Sequence, residues 1–297
     1  MMTISDPSRG YIFLATGHRK YFEMAISAAM SAKWMDPDKK VCLIHDGVGA
    51  NASSLPDYAS DIFDDLVVFE PEDGFVGVMN KMLIYDLCPY DEAFFVDGDC
   101  FVMKTDMDRH WAKFGRHDFT FAGEPVSNGS WYGFDIAKAC TDAQVPYLVR
   151  GNTGVFFFRK SDTARTVFDT AKTFVREKPA ILGVTHQNRA GQYSDEPFLG
   201  AAMGATGVAP VSYTAAEGSI MVTTLYARFC KGDLESEISQ LKKPASGLPT
   251  DRFWALKYVT HSPSIMHFIG LKPRKLFDKL SRQARARYGV PDYDFFA

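Results

Sequence analysis

Short apolar runs alternate with helix-patterned segments through the first hundred residues, and this alternation most limits what the chain can become. Residues 11–16 (YIFLAT), 41–45 (VCLIH), 66–69 (LVVF) and 93–96 (AFFV) are each apolar at consecutive positions. A strand of that kind has both faces covered, so the runs predict a largely parallel sheet with helices on each side. The intervening segments have helical period: residues 21–34 carry Met24, Ala25, Ala28 and Ala29, and residues 78–87 carry Met79, Met82 and Leu83 on one face. Further along, residues 119–122 and 155–158 read as strands. Asp162 is placed to cap a helix from Thr163 to about Lys178. Residues 183–192 read as a flexible loop beside a site, and residues 242–251 as a surface connection.

Composition excludes several classes of function. With 46% hydrophobic and 23% charged residues the chain is globular rather than disordered. A net charge of -3 gives no general attraction for polyanions, and no nucleic-acid partner is expected. The five cysteines form no C-x-x-C pair, which points to free thiols in a reducing compartment. No apolar run near the N-terminus is long enough for a signal h-region or a membrane span, so the expected location is cytoplasmic.

Asp-x-Asp occurs four times, at Asp36/Asp38, Asp97/Asp99, Asp106/Asp108 and Asp292/Asp294. Three of these have bland readings, as a turn after a helix, a helix start and a polar tail. Asp97-Gly98-Asp99 differs because it directly follows the buried run Phe94-Phe95-Val96. The carboxyl end of a buried strand is where open α/β sheets bind ligands. Two acids flanking a glycine can both reach a hard divalent cation, and without one they repel each other.

The stretch Asn80-Lys81-Met82-Leu83 through Asp91-Glu92-Ala93-Phe94-Phe95-Val96-Asp97-Gly98-Asp99 resembles the core of glycogenin-like, family 8 glycosyltransferases. Other pieces follow in that family's order: Gly151-Asn152-Thr153-Gly154-Val155-Phe156, Asp195-Glu196-Pro197-Phe198-Leu199, and His267-Phe268-Ile269-Gly270-Leu271-Lys272-Pro273. The resemblance spans roughly residues 11–275 and implies a GT-A nucleotide-diphospho-sugar transferase fold, an α/β domain with a mixed central sheet flanked by helices. Residues 276–297 then form a basic C-terminal tail or helix.

What the resemblance implies for the site can be stated residue by residue. Asp97, Asp99 and His267 are expected to hold Mn²⁺, with Mg²⁺ the alternative; an imidazole beside carboxylates suits the softer ion. Ala15, Thr16, Tyr21, Lys81, Gly98, Asn152, Gly270 and Lys272 are expected to join both aspartates in binding a UDP-sugar, with Lys272 on the diphosphate. Asp195 and Glu196 are the expected catalytic pair beside the anomeric carbon. The implied reaction moves a hexose, glucose or galactose, to a hydroxyl of a carbohydrate, lipid-linked glycan or protein, with retention. The chain departs from the family in three places. Its first loop (Thr16-Gly17-His18-Arg19-Lys20) lacks an acidic residue, Glu196 replaces a glutamine, and Arg274 stands where a tryptophan is usual.

Two other functions share these features. A sugar-phosphate nucleotidyltransferase also uses a strand-end aspartate and a metal, but the Gly-rich triphosphate loop is missing after Leu14. A non-catalytic nucleotide-sugar-binding protein has no need of an intact Asp97, Asp99, Asn152 and His267. Residues 272–287 hold seven Lys or Arg against Asp278 alone. There Leu276, Phe277, Leu280 and Tyr288 can share a helical face. Such a face reads either as a peripheral membrane contact or as a helix packed on the domain.

Overall fold

The computed structural model describes residues 7–47, 55–183, 193–214, 217–245 and 257–297. The loop expected over residues 183–192 lies outside them from residue 184, as does the 242–251 connection from residue 246. The run Phe156-Phe157-Phe158 shows why the middle of the central sheet is buried on both faces. Phe157 packs with Tyr11, Phe13 and Phe94 on one side, while Phe156 and Phe158 pack with Ile12 and Phe95 on the other.

The chain opens with β1 (Arg9–Ala15), α1 (Arg19–Met35) and β2 (Lys40–His45), then α2 (Ala59–Ile62) and β3 (Asp65–Val68). A 3-10 segment, Gly77–Leu83, runs into α3 (Ile84–Leu87) and on to β4 (Glu92–Val96) and β5 (Cys100–Val102). Next come α4 (Met107–Phe114), β6 (Phe119–Val126), the small ribbon β7 (Ser130–Trp131) and β8 (Phe134–Asp135), α5 (Ile136–Ala143) and β9 (Leu148–Arg159). Helices α6 (Asp162–Glu177), α7 (Pro179–Leu182) and α8 (Glu196–Thr206) follow. The last part holds β10 (Met221–Thr223), β11 (Phe229–Asp233), β12 (Ile238–Pro244), β13 (Tyr258–His261), β14 (Ile265–His267) and α9 (Arg274–Arg287).

The central sheet has the order β3-β2-β1-β4-β9-β6. Its first four strands are parallel, and β9 runs antiparallel between β4 and β6. The expected mixed α/β sheet is therefore present. A second sheet, β10-β14-β5, sets His267 beside Cys100.

Four expectations need correction. The helix expected at residues 78–87 is a 3-10 segment followed by one α-turn. Ser161, not Asp162, caps α6, accepting from the Ala164 N–H. Residues 242–244 belong to β12 rather than to a connection. The strand expected at residues 155–158 begins already at Leu148, so Asn152 lies within it.

The C-terminal helix is part of this one body. Phe277, Leu280 and Ala284 of α9 are buried in the same cluster as β1 and α1, so the apolar face considered for a membrane is occupied by the domain. Arg285 and Glu23 are both fully buried and 2.7 Å apart. Arg285 also donates to Ser27 Oγ, to the Glu23 carbonyl and to the Pro291 carbonyl. Among the described residues no helix is long and apolar enough to cross a membrane. Removing one partner of a buried pair strands the other charge in a low dielectric. Arg285→Ala is therefore expected to lose about 3–5 kcal/mol of unfolding free energy, read from urea denaturation midpoints.

Candidate active site

The sheet delivers the acidic residues to one rim. β4 ends in Asp97, whose N–H donates to the Gly154 carbonyl of β9, so the Asp-Gly-Asp turn is tied to the neighbouring strand. Asp99 is tied in turn to β14 through the Phe268 N–H. Helix α8 brings Asp195 and Glu196 to the same place because it lies directly on β9. A Cβ on Gly200 or Gly204 would sit 2.3 Å or 1.9 Å from the carbonyl oxygens of Val149 and Tyr147, so only glycine permits this approach.

Lys81 is the hub. Its buried ammonium lies 3.0 Å from Asp97 and 3.0 Å from Asp195, and 5.1 Å from the ring centre of Phe95. Burial alone would lower its pKa, but the carboxylates of Asp195, Asp97 and Glu196 outweigh it and hold the charge on. Asp195 occupies the position before α8 without making a capping bond; Lys81 and the Thr153 hydroxyl hold its carboxylate instead. Asp97 is raised above the ordinary carboxylate range, first by burial, against the pull of Lys81 and with the push of Asp99.

His267 faces Asp99 and Asn152 at once. Its Nε2 is 3.1 Å from Asp99 Oδ1 and its Nδ1 is 3.0 Å from Asn152 Oδ1. Because the Gly154 N–H also donates to that amide oxygen, Asn152 Oδ1 is an acceptor there, so Nδ1 must carry the proton. Nε2 is thus left to share an acidic hydrogen with Asp99 or to offer its lone pair to a cation. Burial lowers the imidazole's pKa, and the charge and hydrogen bond of Asp99 more than reverse that. Ring and amide meet over Gly154, where a Cβ would stand 2.7 Å from His267 and 2.8 Å from Asn152 Oδ1.

These donors fit a divalent ion. Asp99 and His267 converge, and an imidazole oriented by a second hydrogen bond is the usual arrangement of a metal-binding histidine. Asp97 is adjacent but is held by Lys81. The Cys100 thiol lies within the same group, yet burial and both aspartates raise its pKa well above normal, so it offers no thiolate.

Glu196 is buried, accepting from Tyr132 Oη at 3.2 Å and from Asn152 Nδ2 at 3.4 Å. Desolvation, then the neighbouring Asp195, pushes its carboxyl up to about 7. Asn152 therefore links His267 to Glu196, with its amide oxygen engaged inside the protein.

A cavity of about 670 Å³ adjoins this cluster at the carboxyl ends of β1, β2 and β4. Thr16, Tyr21, Lys81, Asp97, Gly98, Asp99 and Gly270, all expected from sequence, line it. Ala15 does not line it, being packed in the core. Lys272 is exposed and is not among its lining residues, whereas Arg274 is. Lys20, Asp46, Asn80 and Phe296 also line it and were not singled out in the sequence. Asp46 accepts from the Gly17 N–H at 2.8 Å, so the first loop receives its acidic residue from the end of β2. The same strand-end rule that marked Asp97 applies to Asp46 after VCLIH. Asn80 Oδ1 is buried with no hydrogen-bond partner among the described residues.

No protein-family model matches the chain, and no curated protein matches its sequence. Among solved structures it is similar to the galactosyltransferase LgtC in complex with donor and acceptor sugar analogues. That likeness has a TM-score of 0.55 and 14% identity, over 92% of this chain and 95% of that one. An active-site mutant of LgtC matches at a TM-score of 0.48 with 16% identity, over 71% and 75% of the two chains. The glycosyltransferase GlyE of Streptococcus pneumoniae TIGR4 matches at 0.43 with 14% identity, over 69% and 45%. The chain has the GT-A glycosyltransferase fold.

Two tests follow from the geometry. A carboxyl whose folded pKa lies above its unfolded value near 4.5 favours the folded state fully below that value and loses the contribution as pH rises through about 7. Glu196→Gln is therefore expected to unfold later than wild type at pH 8, by up to about 3 kcal/mol, with the gap closing at pH 4.5. Gly154→Ala is expected to be destabilised by about 1–3 kcal/mol, since the His267 ring must move, as thermal unfolding would register.

Proposed function

We propose that this protein is a metal-dependent hexosyltransferase that moves glucose or galactose from a UDP-sugar to an acceptor hydroxyl with retention. The supporting observation is one connected cluster beside the cavity: Lys81 joins Asp97 and Asp195, and Asn152 joins His267, which faces Asp99, to Glu196, with Lys81, Asp97 and Asp99 lining the cavity itself. The similarity of fold to LgtC, itself crystallised with donor and acceptor analogues, supports the same reading.

Formal charges favour a divalent ion. Three aspartates against one lysine leave the cluster at minus two when His267 and Glu196 are neutral. Asp97, Asp99 and His267 would hold Mn²⁺, with Mg²⁺ the alternative. When bound, the ion supplies positive charge to the departing diphosphate.

The chain's own residues do the rest. Lys81 holds Asp97 and Asp195 in place, and Asn152 fixes His267 and Glu196 relative to one another. The cavity accepts the nucleoside against Thr16 and Tyr21, with Asp46 on the same wall. In the reaction, the bond from the anomeric carbon to the UDP oxygen breaks, the acceptor oxygen bonds to that carbon, and the hydroxyl proton leaves with the diphosphate. Positive charge grows on the sugar meanwhile. Glu196 in its anionic form, beside Asp195, stabilises it. The acceptor is a carbohydrate, a lipid-linked glycan or a protein, and the setting is cytoplasmic.

A panel of UDP-sugars with Mn²⁺, scored for UDP release and for donor-dependent thermal stabilisation, is expected to single out UDP-glucose or UDP-galactose. Asp97→Asn/Asp99→Asn should lose at least roughly 10²-fold in rate; full activity in that variant would sink the metal assignment. The wild-type rate is expected to rise with pH through about 7 as Glu196 ionises. Glu196→Gln should be flat over that range and lower by roughly 10²-fold at pH 8.

A further inference from the structure

One wall of the cavity is built from three residues that none of the roles above uses: Lys20 in the first turn of α1, Arg274 at the start of α9, and Phe296. Three cations line the cavity. Lys81 is matched by two carboxylates, but neither Lys20 nor Arg274 forms an ion pair among the described residues. Both rest on the same ring. The Arg274 guanidinium carbon is 5.1 Å from the centre of Phe296 and the Lys20 ammonium is 5.7 Å from it. Lys20 also donates to the Phe295 carbonyl.

Such an arrangement gathers two positive charges at one cavity wall, with no carboxylate paired to either among the described residues. An aromatic face holds each cation while leaving most of its N–H groups able to donate elsewhere. The segment that carries the ring is anchored to the domain. Phe295 is buried against Phe277 at 5.1 Å between ring centres, and Arg285 binds the Pro291 carbonyl at 2.7 Å.

We propose that Lys20 and Arg274, carried on the ring of Phe296, grip the diphosphate of the bound nucleotide. The C-terminal segment is then a wall of the donor site. Arg274, rather than Lys272, is the cation that α9 contributes. This rests on the UDP-sugar reading for the identity of the nucleotide, but the grip itself requires only a diphosphate. A planar guanidinium can bind two phosphate oxygens at once, which a lysine at the same place cannot.

Calorimetric titration of the full chain with UDP, uridine and inorganic pyrophosphate, each with Mn²⁺, tests it. Arg274→Ala is expected to weaken UDP and pyrophosphate by roughly ten- to a hundredfold while leaving uridine unchanged. Arg274→Lys should restore part of the loss. Phe296→Ala should cost a smaller factor, roughly two- to fivefold, on the same two ligands. If Arg274→Ala leaves pyrophosphate binding intact, or weakens uridine as much as UDP, the grip is refuted. If Lys272→Ala rather than Arg274→Ala causes the loss, the assignment to Arg274 is refuted. Wild-type protein that binds pyrophosphate but not UDP refutes the uridine donor and leaves the grip standing. Wild-type protein that binds neither refutes both.

Discussion

The buried ammonium of Lys81 is the interaction on which the rest of the site depends. It comes from a 3-10 segment, reaches the end of β4 at Asp97 and the start of α8 at Asp195, and also lies 3.4 Å from the Thr153 carbonyl of β9. Desolvating two carboxylates without a counterion costs several kcal/mol each. One cation shared between them fixes three elements in a single geometry. The stabilisation is incomplete, because one positive charge faces Asp97, Asp195 and the nearby Glu196. That residual negative charge is what makes the rim receptive to a further cation.

Glu196 shows how this incompleteness turns into chemistry. Its carboxyl is buried beside Asp195, with the Tyr132 hydroxyl, the Asn152 amide and its own backbone N–H to donate to it. Such surroundings favour the neutral acid, so the fold is most at ease when Glu196 is protonated. The proposed chemistry needs the anion. A residue whose working state is its less stable one is what a stability–activity conflict predicts at a reacting centre.

The central sheet was legible because it rests on a local pattern. Residues 11–15, 41–44 and 93–96 are apolar at every position, and that requires cover on both faces whatever the tertiary details. The Asp97 turn was legible for the same reason, since it inherits its meaning from the strand before it. The 3-10 character of residues 77–83 was not, because apolar spacing alone does not distinguish a 3-10 segment from an α-helix over two turns. The start of β9 at Leu148 was not legible either, because Gly151 and Gly154 interrupt the apolar run. In the fold they are glycines that let Phe121 and His267 approach the strand. Asp46, Lys20 and Phe296 come from three distant parts of the chain and meet only in the folded structure.

The C-terminal residues make the last step clear. The basic amphipathic segment over residues 272–287 reads as an appendage, because seven positive charges suggest a partner outside the domain. The partners of two of these charges lie within it. Arg285 is buried against Glu23 of α1, which also holds Arg19 and the Tyr58 hydroxyl. Arg274 lies on Phe296 at the cavity. Glu23 and Lys20 are three residues apart on α1, so the helix that leads from the first strand into the cavity is also the helix that anchors α9. A segment fastened at one end by a buried ion pair and lining a cavity at the other is part of the domain's architecture. Two of its charges then have separate tasks: Arg285 faces a buried carboxylate on one side, and Arg274, under the proposed grip, faces an anionic ligand on the other.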